Sequence, residues 1–220
     1  MTDTVAKPEL YEQNLQFWER AWNMVKTAYT QMPDLDYLAR IPESLSPLRS
    51  QPVLDLGCGS GWLSVFLARA GFTVIGVDVA QHAIELGQGW AATEGLAIDF
   101  RVQDICDLNL PAGHFGSVVA NSIFEHLTLD LAEKTVQSLT RVLKPGGVFL
   151  GCFDKVGTGP GEYFKLSDGT QVYTDKGRQG MMLRCYSDAE IRKLFSEWDI
   201  LELSEVGAGT RFFLARTSKG

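Results

Sequence analysis

Paired cysteines, a membrane-length apolar run and an excess of positive charge are all missing from this sequence. The four cysteines, Cys58, Cys106, Cys152 and Cys185, form no CxxC pair and stand 48, 46 and 33 positions apart. That spacing carries no zinc-site signature and reads as independent, reduced thiols, so no metal site is expected. Apolar runs such as 118–120 and 148–150 fall far short of the ~20 residues that a membrane span requires. The first four residues, Met1 to Thr4, lack the basic-then-apolar layout of a secretion signal, and a cytoplasmic chain without a membrane partner is expected. Basic side chains number 20 against 27 acidic, a formal net charge of −7. That balance argues against a nucleic-acid partner, because phosphate binding needs a basic face.

What is present is a chain able to fold. Apolar residues make up 45% and charged residues 21%, which places the sequence among packed domains rather than disordered ones. Residues 9–29 carry Leu15, Trp18, Trp22, Val25 and Tyr29 at steps of three and four, which predicts an amphipathic helix. Pro33, Pro42 and Pro47 follow, with a short helix expected over 34–40. From residue 53 onward short apolar strands alternate with helices: strands at 53–56, 73–77, 100–102, 115–120 and 148–153, and helices at 63–70, 80–93 and 131–143. Such alternation predicts an α/β fold with a doubly wound, mostly parallel sheet covered on both faces. The motif Lys144-Pro145-Gly146-Gly147 stops the last of these helices. Residues 154–186 are glycine-rich without a helical period, and a long functional loop is expected there. Ser187 then caps a helix, and strands at 198–206 and 211–216 form a hairpin around Gly207-Ala208-Gly209-Thr210.

The segment with the clearest chemistry is Asp55-Leu56-Gly57-Cys58-Gly59-Ser60-Gly61, where a strand enters a glycine turn that opens a helix. Glycines there let backbone approach a ligand where a Cβ would collide. The third glycine of a dinucleotide fingerprint would fall at Trp62, which counts against a nicotinamide-dependent oxidoreductase. Asp55 suits a positively charged amine rather than a pyrophosphate. Asp78 lies 21 residues beyond Gly57, near the spacing of an acid that binds ribose hydroxyls, and Asp104 ends the third strand with Ile105 beside it. Three acids at three successive strand ends are hard to ascribe to capping alone.

These residues, with 115–121 and the Leu143-Lys144-Pro145-Gly146-Gly147 segment, resemble the ordered motifs of class I S-adenosylmethionine-dependent methyltransferases of the type 11/25 kind. The resemblance spans roughly 50–155 and implies a Rossmann-like seven-stranded sheet, S-adenosyl-L-methionine as cofactor, and methyl transfer by in-line displacement. It implies that Gly57, Cys58, Gly59 and Gly61 hold the methionine portion with Asp55 near its amine. Asp78 and Val79 would serve the ribose, Asp104 and Ile105 the adenine, and Asn121 and Ser122 the sulfonium side. A narrower likeness to tellurite- and thiopurine-type enzymes rests on layout and on the segment Arg184-Cys185-Tyr186-Ser187. One methyltransferase domain over 1–220 is expected, divided into a helical cap (1–48), a cofactor core (50–155), a long loop (156–186) and a helix with hairpin (187–218).

The acceptor side is less marked. His126 could take a proton from an acceptor or simply orient a loop. Cys58 lacks a flanking base and reads as packing. Trp18 and Trp22 could wall the acceptor pocket or pack on the sheet, and Arg184 belongs to a loop with two excess positive charges that hints at an anionic acceptor. A small-molecule acceptor is expected, with oxygen, nitrogen, sulfur and a metalloid oxyanion all open as the methylated atom. A non-catalytic cofactor sensor would need the same glycine loop.

Overall fold

Five segments form parallel strands: β1 (Val53–Leu56), β2 (Val74–Asp78), β3 (Ile98–Val102), β4 (Phe115–Asn121) and β5 (Leu143–Phe153). They are seen in a computed structural model that describes residues 8–156 and 161–218. Two antiparallel strands, β9 (Asp199–Val206) and β10 (Thr210–Arg216), complete a seven-stranded sheet in the order β3-β2-β1-β4-β5-β10-β9. This is the doubly wound sheet with a C-terminal hairpin that the alternation predicts.

Strands β1 and β2 are buried along their whole length, which is why they read as unbroken apolar runs apart from one acid each. On one face, α5 (Leu129–Val142) and α6 (Asp188–Leu194) pack over an aromatic cluster. There Phe149 stacks on Phe195 at 5.1 Å and Phe124 sits beside Phe153. The other face is covered by α2 (Arg40–Leu45) and α3 (Trp62–Arg69), through Ile41, Leu45, Leu63 and Leu67. Ser187 and Glu190 close the start of α6 as a capping box. Helix α4 (Gln81–Thr93) links β2 to β3. The sheet order reverses between β1 and β4, and the crevice beyond the carboxyl ends of these strands is where open α/β sheets take ligands.

The structure departs from the expectations in three places. Helix α1 spans Pro8–Asn23 and stops short of Val25 and Tyr29. Tertiary bonds take over there: the Val25 carbonyl meets His82 Nε2 at 2.8 Å, and the Tyr29 amide donates to Ser60 Oγ. The helix expected at 34–40 forms later, as α2, because Pro42 fits a first helical turn where no amide hydrogen is required. The region expected as one loop folds as a three-stranded antiparallel sheet of β6 (Tyr163–Lys165), β7 (Gln171–Tyr173) and β8 (Met182–Leu183). Gly169 and Gly180, at φ 90° and 89°, make its turns, and Val172, Tyr173 and Met182 bury its inner side. Residues 157–160 lie outside the described residues. Among the described residues no helix is long and apolar enough to cross a membrane.

Candidate active site

The glycine turn leaves β1 and is clamped by its neighbour. The Cys58 amide donates to the Val77 carbonyl at 2.9 Å, and the Gly59 amide donates to Asp78 Oδ2 at 2.8 Å. Asp78 Oδ1 accepts from Ala80, so one carboxylate ties the turn after β1 to the start of α4. Each of its oxygens retains a further lone pair for a ligand hydroxyl. Asp78 is buried, and desolvation raises its pKa against the lowering pull of these amides. Gly59 adopts φ 53°, and a Cβ there would stand 2.6 Å from the Trp22 ring. At Gly57 a Cβ would collide with the Ile123 side chain. The absent side chains make room for a close-fitting wall on the opposite side of the cavity.

That cavity measures about 170 Å3 and is lined by Gly57, Gly59, Asp78, Val79, Asp104, Ile105, Ser122 and His126 of the predicted set. Its other side is α1, which contributes Tyr11, Asn14, Leu15, Trp18 and Trp22. Both tryptophans therefore line the same cavity as the glycine turn and the strand-end acids. Tyr11 donates to Asp104 Oδ1 at 2.5 Å, and the same oxygen takes the Cys106 amide. Tyr11 and Asn14 were missed by sequence reasoning, although they extend the stripe of Leu15, Trp18 and Trp22 backward at helical spacing. Val25 and Tyr29, which continue the same spacing forward, lie beyond the end of α1.

His126 sits in a 3-10 turn, Phe124–His126, just past the end of β4. Its Nδ1 faces the Met182 carbonyl at 3.1 Å, and the Trp18 ring crosses it edge-on at 4.5 Å. A carbonyl only accepts, so Nδ1 carries the hydrogen and Nε2 the lone pair. Burial lowers the pKa of this imidazole and favours the neutral ring. Glu125, its neighbour, is 1% exposed. Its Oε1 accepts from the Asp154 amide, while Oε2 has no partner among the described residues. Burial pushes its carboxyl up to about 8. Ser122 is the one described non-glycine residue with a left-handed backbone, at φ 55°. Its hydroxyl accepts from Asn121 Nδ2 and donates to Asp154.

Several predicted residues stand behind the cavity rather than in its wall. Asp55 accepts from Ser64 Oγ at 2.6 Å and braces α3; burial raises its carboxyl to about 7. Cys58 packs with Ile84, Ala91 and Phe100, its thiol pKa raised by the same loss of water. Gly61 makes space for Phe100, and the Asn121 side-chain oxygen accepts from Tyr37. Arg184 corrects an expectation. It is 5% exposed, lies over Tyr186, and pairs with Asp168 and Glu190, so its charge is spent inside the fold. The three-stranded sheet likewise contributes no lining residue; the turn before β8 meets α1, with Arg20 donating to the Gln179 carbonyl. Among the described residues no His, Cys, Asp and Glu cluster could hold a metal.

Residues 53–147 match a family model described as a methyltransferase domain. The match takes in the glycine turn, Asp78, Asp104 and β4, and covers less than half of the chain. A 2-heptyl-1-hydroxyquinolin-4(1H)-one methyltransferase of Mycobacteroides abscessus is 36% identical over 110 residues, 49% of this chain and 48% of that protein. A ubiquinone biosynthesis O-methyltransferase of Methylobacterium nodulans is 34% identical over 128 residues, 58% and 51% of the two chains. The chain spans about half the length of the curated relatives it matches. In fold, the chain is similar to a 1,6-didemethyltoxoflavin-N1-methyltransferase of Burkholderia thailandensis, with TM-score 0.68, 18% identity, and 97% and 92% of the two chains covered. An S-adenosylmethionine-dependent methyltransferase of Clostridium acetobutylicum gives TM-score 0.67 at 20% identity, covering 84% and 93%.

Proposed function

We propose that this chain transfers a methyl group from S-adenosyl-L-methionine to a hydroxyl oxygen on a small, planar aromatic acceptor. The observation that carries the reading is a single cavity in which the Gly57–Gly59 turn, Asp78 and Asp104 meet an aromatic wall and a histidine. The names of the two relatives, a hydroxyquinolone methyltransferase and an O-methyltransferase, support the choice of oxygen.

The chemistry supplied by the cofactor is a methyl group already activated on a positively charged sulfur. The residues present fit such a group. Gly57 and Gly59 bring bare backbone to the cavity, Asp78 offers lone pairs to ribose hydroxyls, and Asp104 with Ile105 offers an acceptor and an apolar surface to a purine. Cys58, Gly61 and Asp55 hold this turn from behind, and Asn121 holds Ser122. Trp18 and Trp22 exclude water and give a flat acceptor a face to lie on. A phenol-like hydroxyl is a weak nucleophile until deprotonated, and His126 accepts that proton at Nε2. Positioning of donor and acceptor in line supplies the larger share of the acceleration, on the order of 7–11 kcal/mol.

The test is calorimetry with S-adenosylhomocysteine, followed by mass spectrometry of aromatic hydroxyl, amine and thiol panels incubated with S-adenosylmethionine. Methylated hydroxyl products are expected. Tight cofactor binding without any methylated product would favour a sensor, and methylation confined to amines or thiols would overturn the choice of oxygen.

A further inference from the structure

Asn14 is a buried amide, 2% exposed, in the middle of the otherwise apolar inner stripe of α1. Such a group is costly unless its hydrogen bonds are met, so its partners define its purpose. Its Nδ2 donates to the His126 carbonyl at 3.0 Å, and its Oδ1 accepts from the Met182 amide at 3.1 Å. The Met182 carbonyl in turn faces His126 Nδ1. Asn14, Met182 and His126 thus close a ring of three hydrogen bonds that joins α1, the turn after β4 and strand β8. Donor and acceptor types permit one orientation of the amide: oxygen toward the Met182 N–H, nitrogen toward the His126 carbonyl. Gly180 seals the same junction, because a Cβ there would stand 2.6 Å from the Gln13 carbonyl oxygen.

We propose that Asn14 is a positioning residue for the acceptor-side base: it fixes the Met182 backbone so that His126 Nδ1 is held as donor and Nε2 is left as acceptor. The inference rests on the reading of His126 as the proton acceptor. It also gives the three-stranded sheet a purpose, since β8 supplies the carbonyl that selects the tautomer while lining no part of the cavity. Asp154, on the far side of the turn, adds a negative field that acts on the same ring.

The test uses the full chain with Asn14→Leu, Asn14→Asp and His126→Asn variants. The His126 ring resonances are identified in a long-range 15N–1H spectrum by their loss in His126→Asn, and the tautomer is read directly. The wild type should show protonated Nδ1. Asn14→Leu should shift population toward protonated Nε2. With an aromatic hydroxyl probe its kcat should fall on the order of 10- to 100-fold, while KM and S-adenosylhomocysteine affinity stay within about threefold. Asn14→Asp keeps the acceptor for Met182 but loses the donor to His126, and an intermediate shift is expected; it also serves if the leucine variant does not fold. An unchanged tautomer in the folded Asn14 variants overturns the proposal, whatever their activity. Full activity in His126→Asn overturns the base reading instead, and the nitrogen spectra keep the two failures apart.

Discussion

Replacing Glu125 by glutamine should change how stability depends on pH, and the structure sets the size of the effect. Glu125 is 1% exposed, with one carboxylate oxygen on the Asp154 amide and the other unpartnered among the described residues. Burial raises its carboxyl to about 8, partly offset by backbone hydrogen bonds, with Asp154 adding to the rise. An unfolded glutamate titrates near 4.3. Between these values the folded protein keeps a proton that the unfolded chain gives up, so the native state loses stability as pH rises through roughly 4 to 8. The slope is about 1.4 kcal/mol per pH step of one, which amounts to roughly 2–3 kcal/mol between pH 5.5 and 7.5. Glutamine has no such proton. Asp55, raised to about 7, contributes in the same direction but is common to both proteins and cancels in the difference. Urea unfolding at the two pH values should therefore show Glu125→Gln gaining about 2–3 kcal/mol on the wild type as pH increases. Parallel pH profiles for the two proteins would refute the reasoning, because they would mean that Glu125 ionises alike in folded and unfolded chains.

Three other outcomes can be checked with the same proteins and S-adenosylhomocysteine. Asp78→Asn removes the charge that clamps the Gly59 and Ala80 amides, and affinity by calorimetry should fall on the order of 10- to 100-fold, matching the 1.5–3 kcal/mol of a charged hydrogen bond; unchanged affinity would remove this residue from the site. Gly59→Val places a branched side chain against Trp22 in a left-handed backbone, and a folded variant should lose binding altogether. Hydrogen exchange should slow along Tyr11–Trp22 and around Met182 when the ligand binds, whereas protection limited to the glycine turn, Asp78 and Asp104 would show that α1 does not respond to it.

Much of the site was legible because the glycine turn and the strand-end acids are local features. Gly57, Gly59, Asp78 and Asp104 announce themselves by spacing, and all four reach the cavity. Asp55 shows the limit. In a strand buried on both faces, spacing does not say which face an acid serves, and this one turns to Ser64, nine positions ahead. Arg184 failed for a related reason: a charge count over one segment registers Asp168 but cannot reveal that it and Glu190 both close on this guanidinium. The small sheet of β6 to β8 was invisible because strands of two or three residues carry almost no periodicity. The role of Asn14 has no local signal in the sequence, since its partners lie 112 and 168 positions away.

Those separations bear on how the protein comes to be. The parallel core can assemble from neighbours, each strand joining one already placed nearby in the chain. The junction of Asn14, His126 and Met182 instead needs the first helix, the middle of the chain and a strand near its end to meet together. Contacts of such long range close late, because chain entropy opposes them until the scaffold exists. A refolding experiment should therefore recover native far-ultraviolet dichroism before it recovers the edge-on Trp18–His126 contact, with an interval in which the molecule is folded and its histidine not yet set.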